Sequence, residues 1–300
     1  MTGAENLSTT KTRSRRTTDE IEALERQIYR VLMLDHPQSV RHVFYRMTDP
    51  RLPVHVEKSE RGYRHIQHRM TEMRRAGKLP YGWVVDATRR GYFVSTFSNK
   101  ADFIRRYAGM YRADLWADAD VYCEVWAESR SIAGVIEATC RDLAVSLYPA
   151  GGFTSLTLAY EAAGHINDAT GHGAKPAHIF YIGDFDPAGV LIDVAIEREL
   201  RQHLNTAVDL HFHRLGITEE QIEMFDLPTK PRKAGDHRAL HIAHTVEAEA
   251  MPAQLLRALL REQIEALLPP GALEVAKAAE LSEQEGLRVL AEALEADDGN

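Results

Sequence analysis

The 300-residue chain has only two cysteines, Cys123 and Cys140, with no CxxC or Cys/His ligand spacing around either. That excludes a disulfide framework and a zinc finger and points to a reducing cytoplasm. No apolar run approaches the roughly 20 residues that span a bilayer, and the polar, basic N-terminus carries no signal core, so no membrane partner is expected. GxxxxGK(S/T) and GxGxxG are both missing, which removes the usual phosphate loops for ATP or a dinucleotide. Prolines are few, at 12, while 44% of residues are hydrophobic: such a chain buries cores, as one large domain or two ordinary ones. A basic excess is missing too, since 36 Lys and Arg against 44 Asp and Glu leave −8, a poor overall match to a nucleic-acid coat.

That average conceals a division. Residues 11–112 carry 22 basic and 11 acidic side chains, whereas 113–300 carry 14 and 32. A basic front joined to an acidic back suggests a polyanion partner for one half. Residues 1–17, rich in Thr, Ser, Lys and Arg, read as a disordered basic arm. From Thr18 the apolar residues Ile21, Leu24, Ile28, Val31 and Leu32 recur at helical spacing until Pro37. Ser39 caps a second predicted helix through Val40, Val43, Phe44 and Met47. A third runs from about Arg61 to Gly77, with Tyr63, Ile66, Met70 and Met73 on one face. Its other faces carry Arg61, Arg64, His65, His68, Arg69 and Arg75, either as a groove-facing set or as plain solvated surface. Three short helices followed by a strand at 82–86 read as a winged helix-turn-helix over residues 18–98.

After a helical connector at 99–117, strands and helices alternate. Strands are expected at 121–127, 145–148, 178–182 and 208–213, with helices at 131–143, 154–163 and 187–203 between them. That alternation predicts an α/β domain at 118–270, a parallel sheet covered on both faces. Residues 218–245 read as irregular, 252–268 as an amphipathic helix, and 271–300 as an acidic helical tail.

In open parallel sheets the working residues gather at the carboxyl ends of strands. The first strand there delivers Glu128, and the third delivers Asp184 and Asp186 within Gly183-Asp184-Phe185-Asp186-Pro187-Ala188-Gly189. Three carboxylates on neighbouring strand ends suit magnesium, and alternate residues of an extended segment point the same way. Asp186, followed by Pro187, is equally an ordinary helix cap.

This order of residues resembles a family. Glu at one strand end, then Asp-x-Asp-Pro-x-Gly after a later strand, resembles the Toprim domain of topoisomerases, bacterial primases and some nucleases. Residues 20–270 as a whole resemble the A subunit of type IIB topoisomerases (topoisomerase VI) and the related meiotic double-strand-break protein. Arg41-His42-Val43-Phe44-Tyr45 stands where that family has Arg-x-x-aromatic-Tyr, and Glu247-Ala248-Glu249-Ala250-Met251 where it has Glu-x-Glu-Ala-Leu. The resemblance implies a winged helix followed by a Rossmann-like Toprim domain. It implies that Tyr45 attacks a DNA phosphate and forms a phosphotyrosyl link, with Arg41 one helical turn away stabilising the charge. Glu128, Asp184 and Asp186 are then expected to hold Mg2+, with Glu247 and Glu249 in support or merely capping the next helix.

The expected partners are double-stranded DNA and a second copy of the chain, each protomer cutting one strand. A nucleoid-associated cytoplasmic location follows. Strand passage requires a separate ATPase B-type subunit, and Ser129 stands where relatives often carry Lys. Two alternatives stay open: a Toprim nuclease that hydrolyses DNA with metal-activated water while Tyr45 is only a core tyrosine, and a non-catalytic DNA-binding or assembly protein. Three lesser features have double readings. Gly151-Gly152 with Thr154 and Ser155 reads as a phosphate turn or a plain turn. His237, His241 and His244 read as transition-metal ligands or a polar helix face. Lys230, Arg232, Lys233 and Arg238 read as a DNA contact or local charge balance.

Overall fold

The computed structural model describes residues 17–85, 94–151, 156–232, 239 and 242–298. Helix α1 (Thr18–Leu34) opens on a capping box, Thr17 accepting from the Glu20 amide and Glu20 reaching back. After β1 (Gln38–Ser39), the Ser39 side chain caps α2 (Val40–Met47), and Ser59 caps α3 (Glu60–Arg75). Strand β2 (Val84–Val85) pairs in parallel with β1. The strand expected at 82–86 is thus two residues long; residues 81–83 form a 3-10 turn and Asp86 lies outside the described residues.

Helix α4 (Lys100–Tyr107) accounts for only the first half of the expected connector. The alternating region follows as β3 (Tyr122–Ala127), α5 (Arg130–Asp142), β4 (Ser146–Pro149), α6 (Leu156–Ala169), β5 (Ala177–Ile182), α7 (Gly189–His203) and β6 (Leu210–Gly216). Strand order is β4-β3-β5-β6, every pairing parallel. The stretch 218–245, read as irregular, contains α8 (Glu219–Met224), started by a Thr218/Gln221 capping box, and the antiparallel pair β7 (Lys230–Pro231) and β8 (His244–Thr245). A six-residue helix is too short for hydrophobic periodicity to register, which is why the capping box was the signal to read. Helices α9 (Ala253–Glu265) and α10 (Ala272–Asp298) close the fold.

One face of the sheet buries Trp126, Ile179 and Tyr181 against Ile166, Ile192 and Ile196 of α6 and α7. The other face continues without a break into the helical unit. Val125, Ile136, Leu256 and Ile264 belong to the same buried cluster as Leu24, Ile28, Phe44, Ile66 and Met70. Arg257 of α9 pairs with Asp35 and donates to the Pro37 carbonyl, and Arg46 of α2 donates to the Ala250 carbonyl at 3.2 Å. The helical and α/β regions, expected as separate domains, therefore share one core. The acidic C-terminal helix is likewise docked rather than a tail: α10 buries Ala291, and Glu280 and Glu295 pair with Arg112 and Arg105. Among the described residues no helix is long and apolar enough to cross a membrane.

A shared core predicts joint unfolding. Leu256, fully buried in that core, is the test position: Leu256→Ala should cost about 2–5 kcal/mol. Calorimetry should show one transition that moves as a whole in the variant; two transitions, only one of them moved, would contradict the shared core.

Candidate metal and nucleic-acid cleft

The register of the sheet brings the acidic residues together. Ala127 pairs with Ile182, so Glu128 and Gly183 emerge side by side, and the Glu128 amide continues the ladder to the Ile182 carbonyl at 2.8 Å. The Glu128 carboxylate turns back over the Asp184 loop, where Oε2 accepts from the Asp184 amide at 2.8 Å and the Tyr181 hydroxyl at 3.3 Å. Gly183 is required here, because a Cβ would lie 2.6 Å from Glu128 Oε2 and 2.5 Å from the Tyr181 hydroxyl. Gly189 is required for a similar reason: its Cβ would meet the Asp184 carbonyl oxygen at 2.2 Å.

A second segment locks that loop. Phe185 and Val246 exchange backbone hydrogen bonds, both 2.8 Å, and the Ala248 amide donates to Asp184 Oδ1 at 2.8 Å. Beneath the loop, Arg214 of β6 donates to the carbonyls of Asp184 at 2.5 Å and Gly189 at 3.2 Å, and pairs with Asp193 of α7 at 2.6 Å.

Glu128, Asp184 and Glu249 open together into a cleft of about 1080 Å3. Its opposite wall is the helical unit, with Arg41 of α2, the β1–β2 pair, and Tyr63, Gln67, Thr71 and Arg74 along α3. Burial, then the charge of Glu128, pushes the Asp184 carboxyl up to about 8. Burial also raises Glu128 and the 6%-exposed Glu249. Carboxylates crowded out of water in this way are short of a cation, and hard oxygen donors facing an open cleft suit magnesium, which keeps waters and takes few protein ligands. Among the described residues no group of three His, Cys, Asp or Glu side chains is set in metal-holding geometry.

Asp186 departs from its expected place. Its Oδ1 accepts from the Ala188 and Gly189 amides at 2.8 and 2.6 Å, so that oxygen caps α7 and the paired-Asp geometry is not formed. On α3 the expected DNA-facing residues divide. Arg61, Arg64, His68 and Arg75 are exposed and His65 is half-buried. Arg69 turns inward to Glu25 of α1, 3.5 Å away with 17% of its side chain exposed, and holds the two helices together. The cleft-facing row is the 63, 67, 71, 74 row, one that charge alone did not mark because two of its members are Gln67 and Thr71.

Tyr45 is 2% exposed, in the core of the helical unit. Burial and then the charge of the Glu247 carboxylate hold the phenol well above its ordinary pKa. Glu247 also accepts from Arg41 at 2.5 Å and Lys230 at 2.7 Å; these two bonds outweigh its burial and keep it ionised below the usual range. Glu247 and Glu249 thus flank Ala248 on two fronts, one toward Tyr45 and Arg41, the other in the acidic cleft.

Of the lesser features, Gly151 borders the cleft with φ +68°, while Gly152, Thr154 and Ser155 lie outside the described residues. His237, His241, Lys233 and Arg238 also lie outside them, and His244 belongs to strand β8, so the helical spacing read for the histidines does not hold. Ser129 caps α5, accepting from the Ile132 amide at 3.1 Å. Tyr181 and Arg214 were missed by sequence reasoning, while Gly183 and Gly189 were read only as part of the acidic-loop motif, without the close approaches that require them. Searches against family models, curated proteins and solved structures returned no match.

A carboxyl whose folded-state pKa stands above its unfolded value of 3.8 favours folding when protonated, and opposes it once ionised. Stability contributed at Asp184 therefore falls as pH rises from about 4 to about 8 in protein stripped of divalent metal. Asp184→Asn, which keeps an acceptor for the Ala248 amide, should match wild type in EDTA near pH 4 and melt higher at pH 8. Equal melting at both pH values would contradict the buried-charge account.

Proposed function

We propose that this chain is a magnesium-dependent DNA-cleaving protein of the type IIB topoisomerase A-subunit class, with a winged-helix part and a Toprim part. The observation that carries this reading is the placement of Arg41 and the α3 row across one cleft from Glu128, Asp184 and Glu249. Arg41 and Arg74 are the cations of that wall, and with a cation on the carboxylates a backbone phosphate in the cleft would meet both charges.

Tyr45 is the nucleophile. Its oxygen bonds to phosphorus, the bond from phosphorus to the neighbouring sugar oxygen breaks, and that oxygen departs as a hydroxyl. The phenol is protonated at neutral pH, so its proton must leave as the phosphate approaches, and Glu247, whose charge acts on the phenol, is the acceptor. Arg41, bonded to Glu247, is placed to follow the developing phosphate charge. Glu128 and Asp184, with Glu249 beside them in the cleft, would hold Mg2+, which would supply charge neutralisation at the scissile phosphate. A homodimer, each protomer cutting one strand, and a separate ATPase subunit for strand passage complete the reading. A second reading, hydrolysis by a metal-activated water, is favoured by the burial of Tyr45 at 2% exposure.

Labelled duplex DNA incubated with Mg2+ and then denatured should carry a covalent protein adduct that Tyr45→Phe abolishes. An adduct surviving in Tyr45→Phe contradicts the assignment of the nucleophile. Cutting that persists in Tyr45→Phe without adduct selects the hydrolytic reading.

A further inference from the structure

Next to Arg41, on the side away from the acidic cleft, lies a smaller pocket of about 100 Å3. Arg41, Lys58, Tyr63, Lys230 and Glu247 contribute to its walls. The ammonium groups of Lys58 and Lys230 stand 5.7 and 5.6 Å from the centroid of the Tyr45 ring. They come from distant parts of the chain, Lys58 from the turn before α3 and Lys230 from β7, so their convergence is a product of the fold.

The charge in this pocket is unevenly met. Of the two carboxylates on its walls, Glu60 is paired with Arg64 at 3.1 Å and Glu247 is shared between Arg41 and Lys230. Lys58 hydrogen-bonds to a neutral group, the Thr229 carbonyl, at 2.9 Å. Burial, reinforced by the charge of Lys230 and only partly opposed by Glu247, lowers the Lys58 ammonium to about 8. Lys58 and Ser59 also stand at the amino end of α3, a 16-residue helix whose dipole favours an anion there. A volume of about 100 Å3 has room for a few waters or one tetrahedral oxyanion.

We propose that this pocket binds a single phosphate of the nucleic-acid backbone, clamped between Lys58 and Lys230 with Arg41 on its third side, beside the Tyr45 ring. The inference rests on the proposed function only in naming DNA as the source of the phosphate. A bound phosphate supplies the charge that Lys58 lacks and competes with Glu247 for Arg41 and Lys230. Glu247 is then released toward the tyrosine.

The test uses the full chain without divalent metal, titrated with a short labelled duplex at several salt concentrations, and melted separately with added inorganic phosphate. Lys58→Gln and Lys230→Gln should each lower the slope of log affinity against log salt by about 0.9, the loss of one phosphate contact, and Lys58→Arg should restore it. Inorganic phosphate should raise the melting temperature of wild type and fail to raise that of the Lys58→Gln/Lys230→Gln double variant. Circular dichroism establishes that the variants are folded, and Lys277→Gln, on the distant α10, should change neither readout. Unchanged slope together with unchanged phosphate stabilisation in the variants overturns the pocket. Wild type that binds no duplex, yet loses phosphate stabilisation in the double variant, contradicts the DNA reading and upholds the pocket.

Discussion

The candidate site depends on the docking of residues 246–249 onto the loop that follows β5. Two 2.8 Å backbone bonds between Phe185 and Val246 fix the segment, and a third from the Ala248 amide reaches Asp184 Oδ1. From that anchor Glu249 enters the acidic cleft and Glu247 reaches Arg41, Lys230 and Tyr45. Because α2 belongs to the helical unit and the Asp184 loop to the sheet, these few bonds also tie the two halves of the chain together. The shared core behind them makes the tie rigid, since interiors packed to crystal density transmit strain and do not absorb it.

Charge explains why such an arrangement stays poised. Burial and then the charge of Glu128 raise the Asp184 carboxyl, burial and then the charge of Asp186 raise Glu128, and the backbone amide bonded to each does not offset that cost. Glu247 has the opposite balance, with two cations for one carboxylate. Acidic and basic excess thus lie on either side of Ala248. The two excesses are of opposite sign, so the charge that would satisfy one is the opposite of the charge that would satisfy the other.

Much of the fold was legible in the sequence. The parallel sheet followed from strand and helix alternation, and Glu128 and Asp184 from the rule that chemistry collects at carboxyl strand ends. Apolar spacing located α1 and α3 and the Ser39 cap located α2, each start within a residue or two, because both are local signals. What was not legible depends on contacts distant in sequence. Asp186 looked like a partner for Asp184 but its nearest donors are the α7 amides, and Arg69 looked like a DNA contact but Glu25 lies across from it. Arg214, Lys58 and Lys230 carry no motif, and only the packing of β6, β7 and the turn before α3 brings them to the site. The division into two domains was drawn from a change in pattern, whereas the core runs across it.

The central claim is that the carboxylates around Asp184 form a divalent-cation site facing a basic wall. Calorimetric titration of Mg2+ into metal-stripped wild type and Asp184→Asn tests it without requiring DNA or catalysis. Saturable binding in wild type, lost in an Asp184→Asn protein with unchanged circular dichroism, is the predicted result. Indistinguishable isotherms for the two proteins would contradict the account.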